Sequence, residues 1–420
     1  MKPFETPATP DDEFIVDSGD LPVVCKLVDC FIDKPVVDDR LGLALITLKP
    51  EVDAGMVAKE VEAGMVAADQ PGPGDPPLPD IDRLIADLRK ALQRTYGWCP
   101  TIGKNRVLRG IQLLPYPSAG GSIRPPEAGA PRVEIPPGEE GRGVRVGILD
   151  TAIYPNDRLA GRYVADGEDI LRADGTVRKW WDGHATFVAG VIAQLAPAAE
   201  IVVHSVLGSP DGTAPVWEVA RRLVRMADDG LAIVNLSFGC YTDDGRPPLV
   251  LDRAIQRLAP NTVIVAAAGN HGDTPATGDE LPEPYTPVWP AASGFPGVIG
   301  VGACDADLVT APFTPRDPTA DPVQNGEPKA APWIDLLANG VQVRSLYLDG
   351  EVELPTEDGG TVCTCFEGEA VGDGTSYSAA RVSGALAALT VPGRLSAEQA
   401  RVELMRQDNP IREKFGVRLP

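Results

Sequence analysis

The chain has 420 residues, 43% of them apolar and 23% charged, with a formal net charge of −22. That length allows two domains, or one large domain with an appendage, and the apolar share is that of a globular protein. The charge argues against nucleic acid as a main partner, because no basic stripe is present to neutralise phosphates, and against an anionic membrane.

Residues 1–20, opening MKPFETPATPDDEF, are polar, acidic and proline-containing, and read as a mobile tail. They hold no apolar h-region, and no run in the chain approaches ~18 apolar residues. The expected placement is therefore cytoplasmic, with reduced thiols for the seven cysteines. Cys363 and Cys365 make a C-x-C pair, a weak metal signal, and no metal site is expected.

Residues 21–49 read as strands in LPVVCKLVDCFI and LGLALITL. DAGMVA at 53–58 and EAGMVA at 62–67 read as a duplicated helical turn. Residues 71–79 carry five prolines and form a loop. Asp80 can cap a helix in which Ile81, Leu84, Ile85, Leu88 and Leu92 follow helical spacing, with Gly97 at its end. NRVLRGIQLLPY then reads as strand, so residues 21–115 form a small α+β domain. Seven prolines between Pro115 and Pro137 mark residues 116–141 as a linker.

From residue 142 to 420 the texture changes. Short apolar runs at 144–149, 201–206, 232–237, 263–268 and 297–303 alternate with helical patterns at 184–195, 215–228, 249–258 and 376–389. Such strands imply an α/β fold: a parallel sheet covered by helices on both faces. Ligands of such sheets sit beyond the carboxyl ends of the strands. Asp150 ends the first strand in GILDTA, and Asn270 ends a later one in VIVAAAGN. His184 opens a helix in WWDGHATFVAGVIAQL, and Ser376 opens another in GDGTSYSAARVSG.

An acid, a histidine, an amide and a serine at element ends form a set suited to acyl transfer. A serine hydroxyl needs a base, an imidazole supplies one near neutral pH, and a carboxylate fixes the imidazole tautomer. The oxyanion needs donors placed in advance, and a helix N-terminus offers a free N–H. Taken alone, Asp150 reads as a cap, His184 as a structural histidine and Asn270 as a turn residue. His204 reads as a structural strand histidine, and Ser378 and Ser383 as ordinary helix serines. EDG at 357–359 reads as a solvated loop.

The blocks Asp150-Thr151, GHATFVAG, NLSFG, AAAGN and GTSYSAA resemble the subtilisin-like serine peptidases (subtilases, the S8 class). They cover roughly residues 142–415, and their order Asp, His, Ser is the one known for subtilisin. The resemblance implies a serine endopeptidase needing no cofactor for catalysis, either of general use or, more narrowly, a processing peptidase with a single peptide partner. Asp150 would orient His184, the base, and Ser376 would be the nucleophile. Asn270 and the Ser376 N–H would form the oxyanion hole. Ser237, Phe238 and Gly239 would pair with the substrate backbone, and Ala267, Ala268 and Gly269 would line the pocket before the cut. Family members often bind structural calcium, but no ligands are assigned here.

Three blocks depart from the usual pattern. Ala152 and Ala185 stand where glycines are usual, Phe187 where a histidine is usual, and Ser378 and Ala380 where alanine and proline are usual. None of these changes removes a reacting group. The resemblance gives two readings for residues 21–115: a propeptide, or a retained domain that recognises a dedicated peptide or protein partner. The rival to an enzyme is a catalytically weak or inactive binding module on the same fold.

Overall fold

The computed structural model describes residues 12–63, 80–110, 123–172, 176–208, 212–242, 245–273, 283–317, 329–356, 360–406 and 409–420. The proline-rich loop at 71–79, the acidic loop at 357–359 and the first part of the 116–141 linker lie outside them.

The front domain starts earlier than the sequence suggests. Glu13–Asp17 is a strand, β1, with Phe14, Ile15 and Val16 fully buried. That corrects the reading of a mobile tail for residues 12–20: three consecutive apolar residues outweigh their acidic flanks once a sheet is available to bury them. LPVVCKLV is a helix, α1 (Leu21–Val28), and not a strand. A short apolar run does not distinguish the two; Pro22 near the helix start and Val24 and Val28 on one buried face decide it. β2 (Val36–Asp38) and β3 (Leu43–Thr47) follow, then α2 (Ala54–Ala63), α3 (Asp80–Tyr96) and β4 (Ile102–Lys104). The four strands form an antiparallel sheet in the order β2-β3-β1-β4. One face carries Phe14, Val16, Ala44 and Ile46, which pack with Val57, Leu84, Leu88 and Leu92 of the helices. The other carries Ile15, Leu43 and Leu45 and joins the core of the large domain.

β5 (Val107–Gly110) and β6 (Ile123–Arg124) lead into the large domain. Its first elements are β7 (Arg145–Asp150), β8 (Tyr163–Val164), β9 (Arg178–Lys179), α4 (His184–Leu195) and β10 (Glu200–Ser205). β11 (Thr213–Pro215), α5 (Val216–Arg225), β12 (Ile233–Leu236), β13 (Phe238–Gly239), α6 (Leu249–Leu258) and β14 (Val263–Ala267) come next. β15 (Val298–Cys304), β16 (Leu336–Asn339), the long hairpin β17 (Val343–Pro355) and β18 (Thr361–Gly372), α7 (Thr375–Leu389), α8 (Ala397–Met405), α9 (Ile411–Phe415) and β19 (Val417–Arg418) complete it.

The central sheet runs β19-β16-β15-β14-β12-β7-β10-β8, parallel except for β19. Alternate residues of each strand feed opposite cores, as strand geometry requires. Ile148, Val265 and Ile299 pack under α4 and α7, while Leu149, Val234, Leu236 and Ile264 pack under α5 and α6. The expected helices on both faces of a parallel sheet are therefore present. No helix among the described residues is long and apolar enough to cross a membrane.

The front sheet rests on α5 and α6. Arg253 pairs with Asp17 at 3.2 Å and Arg221 with Asp38 at 3.3 Å around the apolar contact. Asn105 accepts from the Trp217 N–H at 3.1 Å and donates to Glu13 at 2.6 Å, tying the end of the front domain to the start of α5. Beyond it, β5 lies between β11 and β13 in a three-stranded antiparallel sheet.

Candidate active site

Four elements carry the predicted residues: β7, α4, α7 and the end of β14. Asp150 is the last residue of β7 and is fully buried. Its Oδ1 accepts from the Thr151 N–H at 2.7 Å, which fixes the carboxylate plane. His184 is the first residue of α4, and its Nδ1 lies 2.7 and 2.8 Å from the two Asp150 carboxylate oxygens. That pairing places the ring proton on Nδ1 and leaves Nε2 as the basic nitrogen. Nε2 is buried and has no hydrogen-bond partner among the described residues.

Ser376 is the second residue of α7. Its Oγ donates to the carbonyl of Ser237 at 3.5 Å, the outer limit of a hydrogen bond. The Ser237 hydroxyl returns a 3.3 Å bond to the Ser376 carbonyl and accepts from Asn235 at 2.9 Å. Ser383 then donates to Asn235 at 3.0 Å. This buried polar chain locks α7 to β12 and sets the height of Ser376 above the sheet. Ser378 donates to Ala338 O at 2.9 Å, a scaffold contact.

Asn270 follows the end of β14. Its Oδ1 accepts from the N–H and the hydroxyl of Thr375 at 2.9 and 3.0 Å. The Thr375 hydroxyl in turn accepts from the Gly269 N–H at 3.1 Å. The amide is thereby oriented, and its NH2 is buried with no partner among the described residues. A buried, unpaired donor is costly unless a ligand completes it. Thr375 is the residue that sequence reasoning passes over; its only signal is its place before the serine in GTSYSAA.

Gly269, at φ +104°, takes a conformation that favours glycine, and a Cβ there would stand 2.8 Å from His271 Nδ1. Ala267 and Ala268 are fully buried beside it. His271 is itself buried, with Nε2 2.9 Å from Thr286 O, and burial pushes its pKa down to about 4. It faces the edge of Tyr241 at 5.3 Å. Phe187 stacks on Tyr377 with ring centroids 4.0 Å apart, joining the helix of His184 to that of Ser376. Ala185 donates its N–H to Thr151 Oγ1 at 3.1 Å. Trp180 and Trp181 pack edge to face at 5.8 Å, with Trp180 buried.

Ser237 immediately precedes β13, and Phe238 and Gly239 already have a partner. Phe238 stands opposite Gly110 and Gly239 opposite Arg109, so the chain's own β5 lies along the edge expected to take a substrate. On its other side β5 pairs Leu108 with Ala214 of β11, and Leu108 is fully buried. β6 pairs with Val371 and Gly372 at the end of β18, four residues before Ser376.

A model of the subtilase family matches residues 141–413. The chain belongs to the subtilase family, peptidase S8. Among its relatives, mycosin-4 of Mycobacterium tuberculosis is 30% identical over 287 residues, covering 59% of this chain and 56% of mycosin-4. The major intracellular serine protease of Bacillus subtilis is 26% identical over 293 residues, 65% of this chain and 78% of that protein. The crystal structure of fervidolysin from Fervidobacterium pennivorans superposes with a TM-score of 0.51 at 18% identity, over 90% of this chain and 54% of that one. This likeness concerns the fold. The subtilase's homologues are serine proteases, and its matched segment spans about half of mycosin-4 and of fervidolysin.

Proposed function

We propose that this subtilase is a serine endopeptidase acting through Asp150, His184 and Ser376, with Asn270 and the Ser376 N–H as the oxyanion hole. The observation that carries the reading is the pair of unfilled groups at one end of the sheet. Among the described residues, His184 Nε2 is a base with nothing to accept from, and Asn270 Nδ2 is a donor with nothing to donate to. Ser376 stands at a helix N-terminus between the elements that hold them.

In the reaction, Ser376 Oγ attacks the peptide carbonyl carbon while its proton passes to His184 Nε2. Asp150 stabilises the imidazolium formed. Charge developing on the carbonyl oxygen is met by Asn270 Nδ2 and the N–H at the start of α7. Collapse breaks the C–N bond, and the His184 proton leaves with the amine. Water then loses a proton to His184 and attacks the acyl-enzyme, releasing the carboxylic acid and Ser376. No cofactor enters these steps.

The substrate is a protein or peptide in extended form, paired with Ser237, Phe238 and Gly239, with Ala267, Ala268 and Gly269 beside the residue before the cut. The front domain acts as a propeptide-like cover, a reading supported by β5 occupying that edge. Hydrolysis of unfolded protein by the full chain, compared with Ser376→Ala, tests the activity. Intact masses of both proteins over time test the cover. Unchanged full-length mass in the active protein would show a retained domain instead.

A further inference from the structure

Between the last turn of α4 and the middle of α7 lies a cavity of about 200 Å³ that the proposed reaction does not use. It is lined by Val191, Gln194 and Leu195 of α4, Val343 and Arg344 of β17, and Arg381 of α7. Gln194 is ten residues beyond His184, about 15 Å along α4, and Arg381 is five residues beyond Ser376, about 7.5 Å along α7.

Its positive charge is only partly compensated. The half-buried Arg381 guanidinium donates to Phe415 O at 3.3 Å, a neutral carbonyl, and has no carboxylate partner among the described residues. Arg344 shares Glu369 with Arg158, so one carboxylate serves two cations. The Nε atoms of Arg344 and Arg381 are both buried without a hydrogen-bond partner among the described residues. Gln194 is oriented by bonds from its amide nitrogen to Gly190 O and Arg344 O at 3.1 and 3.2 Å. An unpaired, partly desolvated cation is unfavourable, and burial holds Arg381 below the usual guanidinium range. Such a concentration of positive charge stands out in a chain of net charge −22.

We propose that this cavity binds a small oxyanion of the phosphate or sulfate class, held between Arg344 and Arg381. Guanidinium groups match the geometry of tetrahedral oxyanions, and Arg344 and Arg381 both line the cavity. The volume is below the ~300–1,000 Å³ of sites for drug-sized ligands, which favours an ion. The bound ion joins α7 to β17 beside the end of α4, and so stabilises the frame that holds His184 and Ser376.

The test uses the full chain carrying Ser376→Ala, which removes self-digestion as a variable. Thermal unfolding is followed as inorganic phosphate replaces sodium chloride at constant ionic strength, with sulfate as a second arm. The midpoint is expected to rise saturably by about 2–4 °C. Adding Arg381→Gln or Arg344→Gln should abolish most of that rise; the second variant leaves the Arg381–Phe415 contact in place and stands alone if the first fails to fold. A midpoint unaffected by either anion, or a rise undiminished by Arg344→Gln, would overturn the site.

Discussion

Two histidines of this chain each sit 2.7 Å from an aspartate, in different charge surroundings. His204, on β10, has Asp229 on Nε2, and Asp169 stands 3.6 Å from Nδ1. The Asp169 carboxylate raises its pKa, against burial and with help from Asp229. His184 has carboxylate on Nδ1 alone, and its Nε2 has no partner among the described residues. A paired carboxylate does not by itself make a histidine catalytic. What separates the two is that His204 has a carboxylate near each ring nitrogen and His184 near only one, which in the proposed mechanism leaves Nε2 to take a proton from Ser376.

The largest effect that sharpens this contrast is removal of the reacting groups. Ser376→Ala or His184→Ala should lower kcat for peptide hydrolysis by roughly 10⁶-fold, the scale known from subtilisin itself. His204→Gln should leave kcat within about twofold, a test of whether the two histidines differ as described. Asn270→Ala should cost roughly 10²–10³ in kcat, again the scale of the family's own oxyanion donor. Thr375→Val removes one of two bonds that aim the Asn270 amide. It should lower kcat by roughly tenfold with KM little changed, as loss of one net hydrogen bond implies.

A smaller effect concerns the cover. Leu108→Asp places a charge where a fully buried leucine stood, at a cost of about 2–3 kcal/mol or more to the docking of β5. Added peptide should then be hydrolysed faster than by the unaltered full chain, in an initial-rate assay. The smallest effect is one of stability. Because the folded pKa of His204 is raised, its contribution is complete below its unfolded value and fades as pH rises through the folded one. The midpoint difference between the native chain and His204→Gln should therefore be larger at pH 6 than at pH 9.

Much of this is legible in the sequence because the informative features are local. The α4 and α7 stripes repeat at helical spacing, and the β7, β10, β12, β14 and β15 runs are apolar enough to be buried on both faces. Asp150, His184, Asn270 and Ser376 stand at element ends, which the same patterns reveal. What escapes depends on distant partners. β1 is a strand because β3 and β4 flank it, and α1 is a helix because α2 and α3 offer it an apolar face. Nothing near Leu108 announces that it will meet β11 and β13, more than a hundred residues away. Thr375 escapes too, because its role is to hold Asn270, a contact that exists only after folding.

The central claim is that the unfilled nitrogen of His184 activates Ser376. Reaction of the folded chain with a fluorophosphonate, followed by peptide mapping, tests it most directly. The account predicts one adduct, on Ser376, lost in His184→Ala and after denaturation, and kept in His204→Gln. Absence of labelling at Ser376, while a known serine peptidase labels in parallel and the front domain has been loosened by Leu108→Asp, would contradict it.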